Sequence, residues 1–234
     1  MNAERPAPVV RSAGQIPASP LAPGVTAYEL LNDQHGCRGL HQRLLRFTGG
    51  AARTGTAAGR GEAWYVIRGS GALDAGAPGT AALRPGTAVW MRQSLPYRCQ
   101  ARPDLDILAV VIRAGAGQAR PRLCVAQLEA CAPERTGDRE FRVLLSAGLA
   151  ITQFAGLIPP GRAPEHCHAY DEVVHVLAGR GTVHLPAGRT AIGPGTSIYL
   201  PPQVPHCLEN GGPDPLQVLG VFYPAGSPAA KQAT

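Results

Sequence analysis

Short apolar runs, each stopped by Gly, Pro or Asp, recur along the whole chain. The first half contains LHQRLLRF, AWYVIRGSGAL, TAVWM and ILAVVIR. The second contains LAITQFAGLI, EVVHVLAG, TVHLPAG, TSIYLPP, HCLEN and LQVLGVFYPAG. Their length, β-branched content and turn-forming borders predict strands, and the fold class is all-β. One helix is expected, a short one around Val125–Cys131.

The runs repeat. Arg38–Gly71 lies over Gly148–Gly181 without gaps at an offset of 110 residues, which brings Glu62 onto Glu172 and Gly69 onto Gly179. At an offset of 109, Pro85-Gly86-Thr87 matches Pro194-Gly195-Thr196, and Leu95-Pro96-Tyr97 matches Val204-Pro205-His206. A repeat of this size implies two tandem copies of one barrel. The expected organisation is a proline-rich N-terminal arm over 1–24, a first barrel over 25–115, and a linking and packing segment over 116–147. A second barrel follows over 148–225, and a tail over 226–234. Prolines deny the arm a regular helix or a central strand.

Composition supports a folded, turn-rich protein: 44% hydrophobic and 16% charged residues, with 29 Gly and 23 Pro. The net charge of +6 comes from arginines scattered along the chain, with Lys231 the one lysine. No basic stripe or reading helix accompanies them, so no nucleic-acid partner is expected. Neither a membrane-spanning apolar run nor a basic-then-apolar leader is visible, and a cytoplasmic location without membrane association is the expectation. Cys37, Cys99, Cys124, Cys131, Cys167 and Cys207 form no C-x-x-C pair and are expected reduced, with Cys167 and Cys207 turned away from the chemistry.

The chemistry gathers at the start of the second copy. His166 and His168, two apart on an extended segment, point to one side. Glu172 keeps their parity, and His206 follows a proline-fixed turn. Three neutral imidazoles and a carboxylate suit a divalent transition metal and leave positions for water or substrate. In the first copy, Thr56, Ala58 and Tyr97 stand at the places of His166, His168 and His206. Glu62 alone remains, hydrogen-bonded inside the barrel, with Tyr97 as its expected partner. That barrel is expected to be metal-free. Thr152, Phe154, Tyr170, Tyr199, Gln203 and Asn210 are candidates for the substrate pocket, Tyr170 as a gate. His35, His41, His175 and His184 have no ligand spacing and read as structural, and Glu165, Asp171 and Glu209 as solvated.

Gly161, His166, His168, Glu172 and Gly179, then Pro194, Gly195, Pro201, His206 and Asn210, resemble the two cupin motifs in order and nearly in spacing. The one departure is an entry loop shorter by one residue. The chain resembles a bicupin, similar to metal-dependent bicupins of the quercetin-dioxygenase type and to ureidoglycine aminohydrolase. The resemblance implies two double-stranded β-helix (jelly-roll) barrels and one divalent metal per chain. Fe(II) is favoured, with Mn, Ni, Cu, Co or Zn as alternatives. It also implies a homodimer, with the arm across a neighbouring subunit as one possibility. The leading functional reading is an oxygenase acting on a small chelating polar or aromatic substrate, with Glu172 both ligand and catalytic base. A non-redox isomerase, cyclase or aminohydrolase on the same site, and a small-molecule-binding cupin without turnover, are the alternatives.

Overall fold

Period-two alternation turns one face of each run inward, and strands form where it does. The computed structural model describes residues 6–113 and 121–229. Strands β1 (Val9–Ser12) and β2 (Ser19–Ala22) precede the first repeat. That repeat builds β3 (Val25–Leu31), β4 (Leu40–Phe47), β5 (Ala52–Thr56), β6 (Gly61–Asp74), β7 (Thr80–Leu83), β8 (Thr87–Arg92) and β9 (Pro96–Ile112). The joining segment holds β10 (Leu123–Gln127), β11 (Glu134–Thr136) and β12 (Arg139–Leu145). The second repeat gives β13 (Thr152–Ile158), β14 (Gly161–Arg162), β15 (Asp171–Ala178), β16 (Gly181–Leu185), β17 (Gly188–Ile192), β18 (Thr196–Leu200), β19 (Cys207–Asn210) and β20 (Leu216–Tyr223).

All pairings are antiparallel. In the first barrel a nine-stranded sheet, β10-β8-β6-β9-β4-β3-β2 with β5 on β9 and β7 on β6, rolls on itself. The long β6 and β9 run through both walls, with register shifts at Val66/Arg68 and Gly69/Gly71 where the pair bends. The second barrel breaks its equivalents of these strands. It pairs a seven-stranded sheet, β1-β18-β15-β20-β13-β12-β11, with a four-stranded one, β14-β19-β16-β17. Trp64, Phe47, Leu73 and Met91 fill the first barrel, and Val176, Val183, Ile198 and Leu216 fill the second. A third core lies between them, where Leu40, Leu44, Tyr65 and Trp90 meet Leu145, Ile151, Val173, Tyr199 and Val221.

The arm and the joining segment differ from expectation. Within the arm, β1 pairs with β18 from Val9↔Tyr199 to Ser12↔Thr196, at the edge of the second barrel. Pro20 in β2 sits on the outermost strand of the first sheet, where a missing N–H is tolerated. The helix expected over Val125–Cys131 is instead β10 followed by a single 3-10 turn, Leu128–Ala130. Cys124 and Ala126 pack on the inter-barrel core at period two, which a helix would not allow. β10 pairs with β8 from Leu123↔Met91 to Gln127↔Thr87. The two barrels thus exchange edge strands: β1, ahead of the first barrel, finishes the second, and β10, ahead of the second, finishes the first. Residues 1–5 of the predicted arm, 114–120 at the predicted junction of first barrel and linker, and 230–234 of the predicted tail lie outside the described residues.

Strand pairing also corrects the gapless repeat alignment. Gly55 lies opposite Tyr97 as His166 lies opposite His206. Ser94 donates its N–H to Ala57 as Gln203 donates to His168, and both donors have positive φ, 60° and 63°. The residues at the places of His166 and His168 are therefore Gly55 and Ala57, not Thr56 and Ala58. The first copy carries one more residue between this point and its glutamate, a difference hidden when the repeats are slid as a block. On the neighbouring strands the same register sets Arg43 of β4 at the place of Phe154 of β13.

Candidate metal centre

The segment between β14 and β15 is stapled to the one before β19. His166 N–H donates to His206 O at 3.1 Å, and His206 N–H returns the bond to His166 O at 2.9 Å. Gln203 N–H donates to His168 O at 2.7 Å. These backbone bonds set three imidazoles around one point, with ring centres 4.5 Å (His166–His206), 4.8 Å (His166–His168) and 5.3 Å (His168–His206) apart. One ring nitrogen from each lies within 4.8 Å of the others.

Ring orientation is set locally. His166 Nδ1 lies 3.0 Å from Pro164 O and His206 Nδ1 lies 2.9 Å from Val204 O. A carbonyl only accepts, so Nδ1 carries the proton and Nε2 keeps its lone pair for the centre. Glu172, the second residue of β15, completes the group. Its Oε2 is buried without a hydrogen bond and faces Nε2 of His168 at 3.5 Å and of His206 at 3.7 Å. Those separations are long for hydrogen bonds and suit donors that share a cation, each about 2.1 Å from it.

Electrostatics agree. Burial pushes Glu172 up to about 8, against a smaller downward pull from Arg139. Burial takes His206 down to about 4, with the Val204 carbonyl opposing and His166 and Arg139 assisting. The site disfavours protonated imidazole and, without a cation, disfavours carboxylate too. A dication restores the ionised carboxylate and uses the neutral imidazoles as they stand. The residues present fit a divalent metal.

A cavity of about 80 Å³ opens from this point. Of the pocket candidates, Phe154 lines it. Its ring lies over Gly220 of β20, where a Cβ would come within 2.2 Å of the ring, so only glycine admits it. Tyr170 stacks flat on His168, rings 5.1 Å apart at 11°, and its hydroxyl donates to Ser227 O at 3.0 Å. It braces a histidine and tethers the chain around Pro228, which itself lines the cavity.

Four candidates sit elsewhere. Tyr199 faces the inter-barrel core and donates to Asp171 Oδ1 at 2.6 Å, because β18 turns Leu200, not Tyr199, to the side of Glu172. Asn210 donates to Ile158 O and Asp214 O and accepts from Gly212 N–H, a loop brace. Gln203 is exposed and holds the His168 backbone, while Thr152 is buried beside the cavity without lining it. Glu209, expected solvated, is 2.6 Å from His184 Nε2. The buried Cys167 thiol donates to Gln203 Oε1 at 3.7 Å, and Cys207 accepts from Arg162 Nε at 3.2 Å.

Sequence reasoning missed Arg139, Phe141 and Phe222 in the cavity wall. Phe222 was within reach, because it pairs directly with Glu172 across β15–β20 and so shares its face. Arg139 and Phe141 come from β12, in the joining segment, where no motif pointed to them.

Among the described residues the first barrel has no such centre. Glu62 accepts from Arg43 at 3.0 Å, from Trp64 Nε1 at 2.8 Å and from Ala58 N–H at 3.1 Å. Tyr97, its expected partner, bonds Arg53 instead. The Tyr97 ring packs over Gly55, filling the space that an imidazole takes in the second barrel.

Comparison with known proteins agrees with this geometry. The Cupin_2 family, a cupin domain, matches residues 155–222. An uncharacterized protein of Methanocaldococcus jannaschii is 39% identical over 54 residues, 23% of this chain and 43% of that protein; the match thus spans less than half of that relative. Among solved structures, protein Ylba from E. coli superposes with a TM-score of 0.79 at 13% identity, covering 94% of this chain and 92% of that one. A Bacillus subtilis oxalate decarboxylase, in a structure concerned with its Mn(II) centres, gives 0.77 at 15% identity, covering 100% and 80%. Lactobacillus farciminis oxalate decarboxylase, in a formate complex, gives 0.76 at 14%, covering 92% and 85%. No helix among the described residues is long and apolar enough to cross a membrane. The second barrel is a cupin domain, and the chain as a whole has the two-barrel bicupin fold.

Proposed function

We propose that this protein is a mononuclear metal-dependent enzyme, with His166, His168, His206 and Glu172 holding one divalent transition metal in the second barrel. The observation that carries the reading is the convergence of three imidazoles, two with Nδ1 tied to carbonyls, with the bare Oε2 of a buried glutamate facing two of them, in an aromatic-walled cavity. The finer reading is an oxygenase acting on a small chelating substrate, with Fe(II) as the metal.

Bound there, the metal supplies an electrophilic centre with open positions and, if iron, redox chemistry with dioxygen. The chain's own residues do the rest. The Pro164 and Val204 carbonyls fix two imidazoles before substrate arrives. Phe141, Phe154 and Phe222 keep water from the reacting atoms. Glu172, the carboxylate facing the His168 and His206 rings, is the group placed to take the proton that a chelating hydroxyl gives up on binding.

The test is elemental analysis of untagged protein purified without chelator or oxygen, followed by oxygen uptake with chelating diols and enols. One equivalent of metal with substrate-dependent oxygen consumption is expected. Turnover without oxygen consumption replaces the oxygenase with a non-redox lyase, isomerase or hydrolase. Protein that takes up no metal overturns the reading.

A further inference from the structure

Arg139 is a cation in the cavity wall without an anion. Its Nε is buried and takes no hydrogen bond, and it forms no ion pair among the described residues. The adjacent carboxylate, Glu140, faces Arg142 at 3.6 Å and Arg135 at 3.8 Å. Arg139 lines the same cavity as His166, His168, Glu172 and His206, which places it beside the metal centre. A dication held by neutral imidazoles and one carboxylate keeps one positive charge, and Arg139 adds another in the wall of the same cavity. Two cations at the end of an apolar cavity ask for an anion. A guanidinium fork matches a carboxylate with two parallel hydrogen bonds.

We propose that the cavity takes a small carboxylate, its carboxylate group paired with Arg139 and its apolar part against Phe141, Phe154 and Phe222. Arg139 is then the residue that selects anionic substrates. The inference rests on the metal-enzyme reading for part of its charge argument and on Arg139 alone for its contact.

Calorimetric titration of the manganese-loaded protein with benzoate and with benzamide, which match in shape and differ in charge, tests it. Benzoate is expected to bind more tightly. Arg139→Gln is expected to weaken benzoate about ten- to a hundredfold while leaving benzamide within about twofold. Arg139→Lys, which keeps the charge and loses the fork, falls between. Metal content and melting temperature of both variants should match the parent, because Arg139 makes no internal bond whose loss would unfold the strand. Benzoate binding unchanged in Arg139→Gln, or benzamide binding as well as benzoate in the parent, overturns the proposal. If the parent holds no metal, the functional reading falls. The same titrations on protein as isolated then decide whether Arg139 discriminates on its own.

Discussion

In the first barrel a buried glutamate meets a guanidinium; in the second, its counterpart faces two imidazoles of a three-histidine cluster. Glu62 and Glu172 sit at equivalent points of one fold, and the residues around them differ together. Arg43 stands where Phe154 stands and delivers a permanent positive charge to Glu62. Tyr97 replaces His206 and covers Gly55, where His166 would be. Everything that binds a cation in one copy has become a means of doing without one in the other. The lesson is that a buried carboxylate is kept only with a partner, and the barrel accepts either a metal or an arginine.

The largest effects should come from breaking the second barrel's partner set. His166→Ala, His168→Ala or His206→Ala is expected to lower metal content from one equivalent per chain to less than about a tenth, read by elemental analysis. Glu62→Gln in the first barrel is expected to change it not at all. Next comes the first barrel's own compensation. Arg43→Met leaves Glu62, 1% exposed, without its cation, and should cost about 3 kcal/mol in urea unfolding. The double variant with Glu62→Gln should recover most of that, since no buried charge is then left.

A comparable effect depends on pH. His175 is buried in the second barrel with Nδ1 2.9 Å from Ser197 Oγ, and burial lowers it to about 4. The unfolded chain takes up this proton near pH 6.5, where the folded protein refuses it. Its contribution is therefore intact above pH 6.5 and is lost as pH falls toward 4, by up to about 3 kcal/mol. Parent and His175→Gln should converge in relative stability across that window. Parallel curves at pH 7.5 and pH 4.5 would remove His175 as the cause. The smallest effect is expected from Tyr170→Phe, which keeps the stack on His168 and loses the bond to Ser227 O. About 0.5–1 kcal/mol of stability and no metal should go with it.

The asymmetry of the copies was legible in the sequence because ligands must be particular residue types in a particular order, and their replacement shows at once. His166, His168, Glu172 and His206 could be read that way, and the bare glutamate of the first copy too. What fills the replaced positions was not. Arg43 belongs to a strand with no motif, and a single extra residue between Gly55 and Glu62 moves every correspondence by one, which only hydrogen-bonded register reveals. The cavity wall was hidden for a similar reason. Phe141 and Phe222 look like any core aromatic, and Tyr199 looked like a wall residue until β18 turned it outward. Arg139 sits in a segment read as a linker, where a charged residue is ordinarily solvated.

The exchange of β1 and β10 reaches beyond the barrels themselves. A fragment cut between the two copies would carry an edge strand belonging to its sister and would lack the one that finishes its own sheet. Neither half can be inherited, transplanted or expressed alone without exposing a raw edge to other chains. The barrel without the histidine cluster thus has a structural part in the whole, because each barrel's wall is completed by a strand from ahead of the other.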